Sequence, residues 1–262
     1  MVGPMARVGL WGALLALLAG SVACTPAEPG PEKAPLAALR SAERATADAG
    51  SARVESSTAM GKLMSLTAKG AVSWARGLTG TLVLTYTGGS VAETMREAGV
   101  SSTEARYLPD AYYARTGARL AKAAGGKQWV RYAYADLERL AGGSGAYLQD
   151  QLRHTAPNRA VRLLLASGDV REVGAETVRG RRTTHYSGAV DSDASQVTAE
   201  RVDVWVDERN LLVKKVEKGT TADGPYSQTA YYGEYGTKVS AQRPPAKDTA
   251  DFSELVRELS GG

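Results

Sequence analysis

The 262-residue sequence contains one cysteine, Cys24, and two histidines, His154 and His185. A single cysteine cannot form a disulfide within the chain, so the fold must be held by its packed core. Two histidines and one cysteine are also too few for a zinc site built from these ligands. We therefore expect no disulfide, no metal centre and no cofactor.

The sequence also lacks the short motifs of common catalytic folds: GxSxG, the P-loop, HExxH and the dinucleotide fingerprint. His185 shares an alternating face with Thr183 and Ser187, which is an ordinary cross-strand position. Asp203 and Asp207 share a strand face, where we expect solvated side chains and not a catalytic pair. The sequence predicts a protein that is not an enzyme and has no catalytic residues.

A strong charge of either sign is missing as well. Removal of residues 1–23 would take away only Arg7 among the charged residues, leaving 31 basic and 28 acidic side chains and a net charge of +3. This balance is too weak and too evenly spread to indicate a nucleic-acid partner. It is compatible with an anionic membrane surface.

The first residues have the pattern of an export signal. Arg7 provides a positive charge, and Val8–Gly20 is uncharged and apolar but shorter than the ~20 residues of a transmembrane helix. Cleavage after Ala23 would make Cys24 the first residue. Because a lone exported thiol has no disulfide partner, we expect Cys24 to be modified, with simple secretion as the alternative.

The stretch Ser21–Cys24 resembles a bacterial lipobox, which implies that Cys24 carries a lipid anchor with acyl chains such as palmitate. Ser21 departs from this resemblance, because the motif usually has leucine there. The resemblance implies an extracytoplasmic protein, anchored to the outer face of the cell membrane. We divide the chain into a signal peptide (1–23), a lipidated, proline-rich tether (24–35) and one domain (36–262).

Period-2 alternation dominates the domain and predicts strands. In Val202–Val216, three valines alternate with polar or aromatic residues, Asp207–Asn210 interrupts the pattern, and Leu211–Val213 restarts it, as in a β-hairpin with a polar tip. Further strands are expected at Ala52–Met60, Leu63–Trp74, Gly80–Thr87, Ser102–Leu108, Ala111–Arg115, Gln128–Ala133, Val170–Val178, Arg182–Val190 and Tyr226–Tyr235.

Helical spacing occurs in five segments, and Val91–Gly99 fits neither pattern. The predicted helices are Leu36–Ala49, Ala135–Leu140, Ala146–His154, Asn158–Ser167 and Asp251–Leu259. We therefore expect an α+β fold with one antiparallel sheet of about ten strands, which tends to curl at that size. Helices covering the concave face could leave an apolar cavity.

An ordered series of motifs resembles the actinobacterial LppX/LprAFG lipoproteins. It comprises the lipobox, a helix, Gly174–Val190, Val202–Val216, Tyr231–Val239 and Pro244-Pro245, and it spans nearly the whole mature chain. That family is similar to the lipoprotein carriers LolA and LolB. The resemblance implies a half-barrel sheet with helices on its concave side and a hydrophobic cavity between them. Its mycobacterial members are implicated in holding and moving acylated glycolipids.

From this architecture we predict which residues contact a ligand. The expected cavity wall consists of apolar residues on two alternating strands: Leu82, Leu84, Tyr86, Val202, Val204 and Val206. The expected lid consists of helical apolar residues: Leu148, Leu152, Val161, Leu164 and Leu165.

Two functions fit the sequence. The first is a membrane-anchored carrier that binds a lipid or another apolar ligand. The alternative is a sensor or protein-interaction lipoprotein that uses the same fold with a filled core and binds an envelope protein of unknown identity.

Overall fold

A computed structural model describes residues 33–139, 156–190 and 198–260 of the chain. Within these ranges twelve strands form one sheet, in the order β12-β6-β5-β4-β3-β2-β1-β11-β10-β9-β8-β7. Neighbouring strands are antiparallel, apart from the parallel edge pair β12 and β6. The strands are β1 (Ser51–Met60), β2 (Met64–Ser73), β3 (Thr79–Gly88), β4 (Ser102–Tyr107), β5 (Ala111–Arg115), β6 (Trp129–Ala133), β7 (Arg171–Val178), β8 (Arg181–Val190), β9 (Thr198–Asp207), β10 (Leu212–Thr221), β11 (Gly224–Gly233) and β12 (Thr249–Asp251).

Six α-helices accompany the sheet in the described ranges. They are α1 (Lys33–Ala49), α2 (Gly89–Glu97), α3 (Ala118–Ala123), α4 (Tyr134–Arg139), α5 (Pro157–Ser167) and α6 (Phe252–Ser260). The predicted α+β class with a single large sheet is therefore confirmed. None of these described helices is long and apolar enough to cross a membrane.

The predicted hairpin is present as β9 and β10. Asp207 organises its turn: the carboxylate Oδ1 accepts the backbone N–H groups of Arg209 (3.0 Å) and Leu211 (2.9 Å), and the backbone carbonyl accepts the N–H of Asn210. Asn210 has a φ of 60°, a left-handed conformation that asparagine tolerates well. The residues of the polar tip therefore determine the conformation of the turn through interactions with their own neighbours in the sequence.

Helix α5 has clear start and stop signals in the sequence. Pro157 occupies its first turn, where a missing N–H costs nothing, and Gly168 ends it with a left-handed φ of 70°. The helix packs against α1 and against β8, β9 and β10. These two helices therefore cover one end of the sheet on the same face.

We call this covered face the inner face of the sheet, because the main hydrophobic core lies on it. The core joins apolar residues of the strands to those of α1 and α5. Its members from the sheet include Val54, Val72, Leu82, Tyr107, Tyr112, Tyr186, Val202, Val204, Leu212 and Tyr232, and those from the helices are Leu39, Ala42, Ala160, Val161 and Leu164.

Several details differ from the sequence prediction. Of the ambiguous segment Val91–Gly99, residues 91–97 belong to α2, and the helix expected from Leu36 begins at Lys33. Strand β12 was not predicted, because three residues are too short to display a period. Helix α3 was not predicted either. The predicted helix Ala146–His154 lies outside the described residues.

Candidate functional site on the inner face of the sheet

The inner face has a closed half, formed by β8, β9 and β10 under helices α1 and α5. Val202 and Val204 are 0% exposed and Val206 is 6% exposed. Val161 and Leu164 of α5 are also fully buried and belong to the same core. These five residues, which the sequence analysis assigned to the cavity wall and the lid, lie together in one packed core. Accessible surface for a ligand is absent at Val202 and Val204 in this structure.

Polar contacts hold helix α1 on the closed half. The hydroxyl oxygen Oγ1 of Thr46 accepts the backbone N–H of Leu212 (3.2 Å), and the indole N–H of Trp74 donates to the carbonyl of Thr46 (3.2 Å). Trp74 also meets the ring of Tyr235 edge-on, with 6.3 Å between centroids. The end of α1 is therefore fixed to β10 and to the chain that follows β2.

The other half of the inner face, on strands β2 to β6, is only partly covered. Leu66, Leu84 and Tyr86 are half-buried there, although Leu82 in the same stripe as Leu84 and Tyr86 is fully packed at 4% exposure. We call this region the open half. Of the predicted cavity-wall residues, Leu84 and Tyr86 lie on it.

A row of aromatic rings crosses the open half from β4 to α6. The ring centroids are 5.5 Å apart between Tyr107 and Tyr112, 5.0 Å between Tyr112 and Tyr132, and 4.7 Å between Tyr132 and Phe252. Burial raises the pKa of the Tyr132 phenol to about 12. Beside this row, the Tyr134 hydroxyl is buried and has no hydrogen-bond partner in the described part of the chain. Tyr107 and Tyr112 are buried, so within this row only the half-buried rings of Tyr132 and Phe252 add apolar surface.

A buried ion pair lies on β10, the strand of the closed half that neighbours β11. Nζ of Lys215 is 2.7 Å from Oε1 of Glu217, and both side chains are 1% exposed. Lys215 is opposite Val204, and Glu217 is opposite Val202, so both face the inner side. Next to them on β11, the Gln228 amide donates to the Thr58 hydroxyl (3.2 Å). The centre of the inner face is therefore polar.

The outer face carries a cluster around His185. Its Nδ1 lies 3.0 Å from Oε1 of Glu176 and its Nε2 lies 2.9 Å from Oδ1 of Asp203, while the ring stacks on Trp205 at 4.1 Å. Asp203 and Asp207 are buried here, not solvated as the sequence suggested. Carboxylates occupy both nitrogens of His185, which makes this cluster a cross-strand network.

The remaining predicted residues divide into two groups. Leu165 is half-buried beside the core, on the same helix as Val161 and Leu164. Leu148, Leu152 and Cys24 lie outside the described residues. Within the described ranges no group of His, Cys, Asp and Glu is arranged to hold a metal ion.

The sequence prediction missed Leu66, Tyr132 and Tyr134 as part of the open half. Leu66 sits in a strand of mostly small and polar residues, and the tyrosines were assigned only to sheet faces in general. The register of β2 against β3, which pairs Leu66 with Tyr86, is what places Leu66 on the open half.

A separate cavity of about 370 Å³ lies at the ends of β1, β2 and β3. Ser51, Arg76 and Thr237 are among the residues that line it. Its lining is largely polar, and it contains none of the predicted ligand-contacting residues.

One sheet with helices on a largely apolar inner face defines an α+β half-barrel protein. The chain belongs to a family of Streptomyces lipoproteins: it is 61% identical over 219 residues to the Streptomyces coelicolor protein named "Putative lipoprotein SCO4650", covering 84% of this chain and 75% of that protein. It is also 44% identical over 247 residues to a 31.2 kDa Streptomyces griseus protein encoded between rplA and rplJ, covering 86% and 81%. No family model matches the chain.

Solved structures agree on the fold. The lipoprotein LppX of Mycobacterium tuberculosis superposes with a TM-score of 0.52 at 18% identity, covering 79% of this chain and 97% of LppX. LprF of Mycobacterium bovis superposes with the same score at 15% identity, covering 83% and 99%. The chain therefore has the fold of the LppX/LprF-type lipoproteins, as the sequence resemblance implied.

Proposed function

We propose that this protein is a membrane-anchored, non-enzymatic carrier that binds a lipid or another apolar ligand on the open half of the inner face. The observation that carries this proposal is the contrast between the two halves. Under α1 and α5 the inner face is packed, whereas Leu66, Leu84 and Tyr86 keep part of their surface accessible. Partly exposed apolar surface that is contiguous with a core is typical of a binding site.

The energy for binding comes from removing acyl chains from water. Each buried CH₂ group contributes ~0.8 kcal/mol, so one long chain laid against the open half supplies most of the affinity of a lipid complex. At one end of the aromatic row, the half-buried rings of Tyr132 and Phe252 add flat apolar surface without charge. Extraction of a lipid from a membrane then depends on how much of its acyl chain this surface covers.

The anchor of the proposed carrier is Cys24. We infer that residues 1–23 direct export, that Cys24 is lipidated, and that residues 24–32 connect it to α1, which begins at Lys33. This arrangement keeps the domain of residues 36–262, together with the first turn of α1, close to the outer face of the cell membrane. The ligand would then be received and released there.

An adjacent pair of residues on β3 allows a matched test of the site. Leu84 points to the inner face, and Val83 is 49% exposed on the opposite face. We expect Leu84→Glu to weaken binding of a fluorescent acyl-chain probe at least about tenfold, because a carboxylate would have to be desolvated against the chain. Val83→Glu should bind like the wild type. Equal binding by both variants would contradict the proposed site.

The second candidate function is a sensor or interaction lipoprotein with a filled core. Complete burial of Val202 and Val204 under α1 and α5 favours it, because this part of the inner face is already occupied by protein. Native mass spectrometry of protein purified from its own membrane separates the two functions. Co-purified lipid supports the carrier, and repeated absence of lipid supports the interaction protein and an envelope partner.

A catalytic role for the His185 cluster is not supported by its geometry. Glu176 and Asp203 engage both ring nitrogens, and the nearby hydroxyl of Ser187 belongs to a fully buried residue that a substrate cannot reach. The cluster therefore lacks an accessible nucleophile of the kind that a histidine base activates.

A further inference from the structure

The two ends of the sheet carry different connections. Strand β3 ends at Gly88 and leads directly into α2, and β5, which runs in the same direction, ends at Arg115 shortly before α3. The turn between β9 and β10 lies at the opposite end, together with Ser51, the first residue of β1. We call these the α2 end and the hairpin end of the sheet.

Helix α2 connects the turn between β1 and β2 to α3 along the α2 end. Near its start, the backbone N–H of Ser90 donates to the carbonyl of Lys62 in that turn (3.1 Å). At its other end, Nη1 of Arg119 on α3 donates to the carbonyl of Glu97 (2.6 Å). The turn, the two helices and the last residue of β5 therefore form one continuous edge.

Positive charge is concentrated on this edge. Residues 61–63, 89–101 and 115–128 include six basic residues but only two acidic ones, Glu93 and Glu97. One of the six, Lys127, is half-buried and donates its Nζ to the carbonyl of Lys247. The other five are exposed, and we call them the basic edge: Lys62, Arg96, Arg115, Arg119 and Lys122.

The charges of the basic edge are not neutralised by neighbouring carboxylates. None of its five side chains forms an ion pair with a residue in the described ranges. At the hairpin end, by contrast, Arg182, Arg209 and Arg243 each have a carboxylate oxygen within 3.7 Å of a guanidinium nitrogen. Exposed positive charges without such partners attract external anions, because their field is not cancelled locally.

We propose that the basic edge docks on the anionic headgroups of the membrane that holds the anchor, and that it thereby turns the α2 end of the sheet toward the bilayer. This inference rests on the anchor in the proposed function, and not on the presence of a ligand. An anchor limits the distance between the domain and the membrane. The basic edge would also determine which end of the domain faces the lipid.

The path of α1 is compatible with this orientation. The helix ends at the hairpin end, where Thr46 accepts the backbone N–H of Leu212. Its 17 residues span ~25 Å, and Leu39 belongs to the core that holds it over the sheet. The helix therefore begins away from the hairpin end. The tether of residues 24–32, which extends at most roughly 30 Å, joins the domain there.

Docking in this orientation also brings the open half to the membrane. The open half reaches the α2 end, because the backbone N–H of Tyr86 donates to the carbonyl of Ser101, between α2 and β4 (3.0 Å). Leu66 is opposite Tyr86, and both side chains are half-buried. In a carrier, an acyl chain leaving the bilayer would meet these two residues before those nearer the hairpin end.

Vesicle binding tests the docking surface without the anchor. The chain without residues 1–23 and with Cys24→Ala is sedimented with vesicles of phosphatidylglycerol and phosphatidylcholine in equal parts, or of phosphatidylcholine alone. Each basic residue near an anionic surface contributes about fivefold in affinity, so we expect the mixed vesicles to bind at least about 100-fold more tightly. Salt at ~1 M, where the Debye length is ~3 Å, should abolish this preference. Equal binding to both vesicles, or binding to neither, would overturn the inference.

A triple variant tests whether the basic edge is responsible. Arg96→Gln, Arg115→Gln and Lys122→Gln together remove three positive charges from exposed positions. We expect affinity for the mixed vesicles to fall about 100-fold, at about fivefold for each charge, with little change in melting temperature. A folded variant that binds like the wild type would overturn the assignment to this edge. If the variant does not fold, the comparison of the two vesicles decides.

The matched control removes the same charge from the other end. Arg76→Gln, Arg182→Gln and Lys238→Gln change exposed residues at or near the hairpin end. Ten-residue strands such as β1 separate the two ends by roughly 33 Å, well beyond the Debye length of ~10 Å at 0.1 M salt, so this control should bind like the wild type. Equal losses in both triple variants would overturn docking by the basic edge. Binding of an acyl probe in solution tests the carrier function separately.

Discussion

The ring of His185 is held between two carboxylates from neighbouring strands: Nε2 lies 2.9 Å from Oδ1 of Asp203, and Nδ1 lies 3.0 Å from Oε1 of Glu176. The second oxygen of Glu176 accepts the indole N–H of Trp205 at 2.9 Å. The network therefore ties β7, β8 and β9 together through charge and hydrogen bonding.

This network should make stability depend on acidic pH. The hydrogen bond from Trp205 lowers the pKa of Glu176 below its usual 4.5, and His185 lowers it further against the opposing effect of burial. A carboxyl with a lowered pKa in the folded state stabilises the protein above the pKa of the unfolded chain. We expect this contribution to disappear as pH falls below about 4.5 and through the lower folded-state pKa.

Urea unfolding between pH 3 and pH 7 measures this effect. Glu176→Gln keeps an oxygen for Trp205 but removes the titrating carboxyl, so its free energy of unfolding should vary less with pH than that of the wild type. Glu93→Gln, on an exposed position of α2, is the matched control and should follow the wild type. Parallel pH profiles for wild type and Glu176→Gln would rule out this role.

The hairpin of β9 and β10 should respond very differently to substitution in its turn and at the first residue of β10. Leu212 is fully buried, whereas Leu211, the first residue after the turn, is only half-buried. Leu212→Ala should lower the free energy of unfolding by ~2–5 kcal/mol. The exposed Glu208→Ala should change it by less than ~0.5 kcal/mol. Similar denaturation midpoints for the two variants would contradict the register of β10.

Packing of the closed half can be tested by overfilling it. Val204 has no accessible surface, so Val204→Trp has to displace core side chains and should cost ~1–3 kcal/mol or more. Val83→Trp, on the outer face of β3 where the side chain is 49% exposed, should melt close to the wild type. A Val204→Trp protein with unchanged stability would contradict this packing. It would indicate a cavity between the sheet and helices α1 and α5, lined by Val202, Val204 and Val206.

The anchor gives the fourth prediction. Because Cys24 is the one cysteine of the chain, Cys24→Ala should prevent lipidation, and the domain should appear in the medium or as an uncut precursor. Membrane fractionation with antibody detection measures this. A fully processed Cys24→Ala protein that remains with the membranes would contradict the lipid anchor.

Local patterns in the sequence were sufficient for much of the fold. Alternation in Val202–Val216 predicted a hairpin, and the turn residues Asp207 and Asn210 explain why it is found at that place, since their side-chain and backbone preferences act within a few residues. Pro157 and Gly168 mark the ends of α5 in the same way. Such signals depend on neighbours along the chain and can be read without the tertiary structure.

The location of the open half was decided by tertiary packing. The same alternation of apolar residues occurs on β9, at Val202, Val204 and Val206, and on β3, at Leu82, Leu84 and Tyr86. Helices α1 and α5 cover the valines of β9, whereas Leu84 and Tyr86 of β3 remain half-buried. A period shows that one face is apolar, but it does not show what docks on that face. That depends on contacts between helices and strands that are distant in sequence.

The buried ion pair shows the same limit at the level of single residues. The sequence pattern does not show which of Lys214, Lys215 and Glu217 face the core. The alternation of the chain predicted one large sheet of antiparallel strands, which the structure shows apart from the parallel edge pair β12 and β6. Only the register shift after Leu212, set by pairing of β10 with β9, decided that Lys215 and Glu217 turn inward, because a one-residue shift moves every following side chain to the other face.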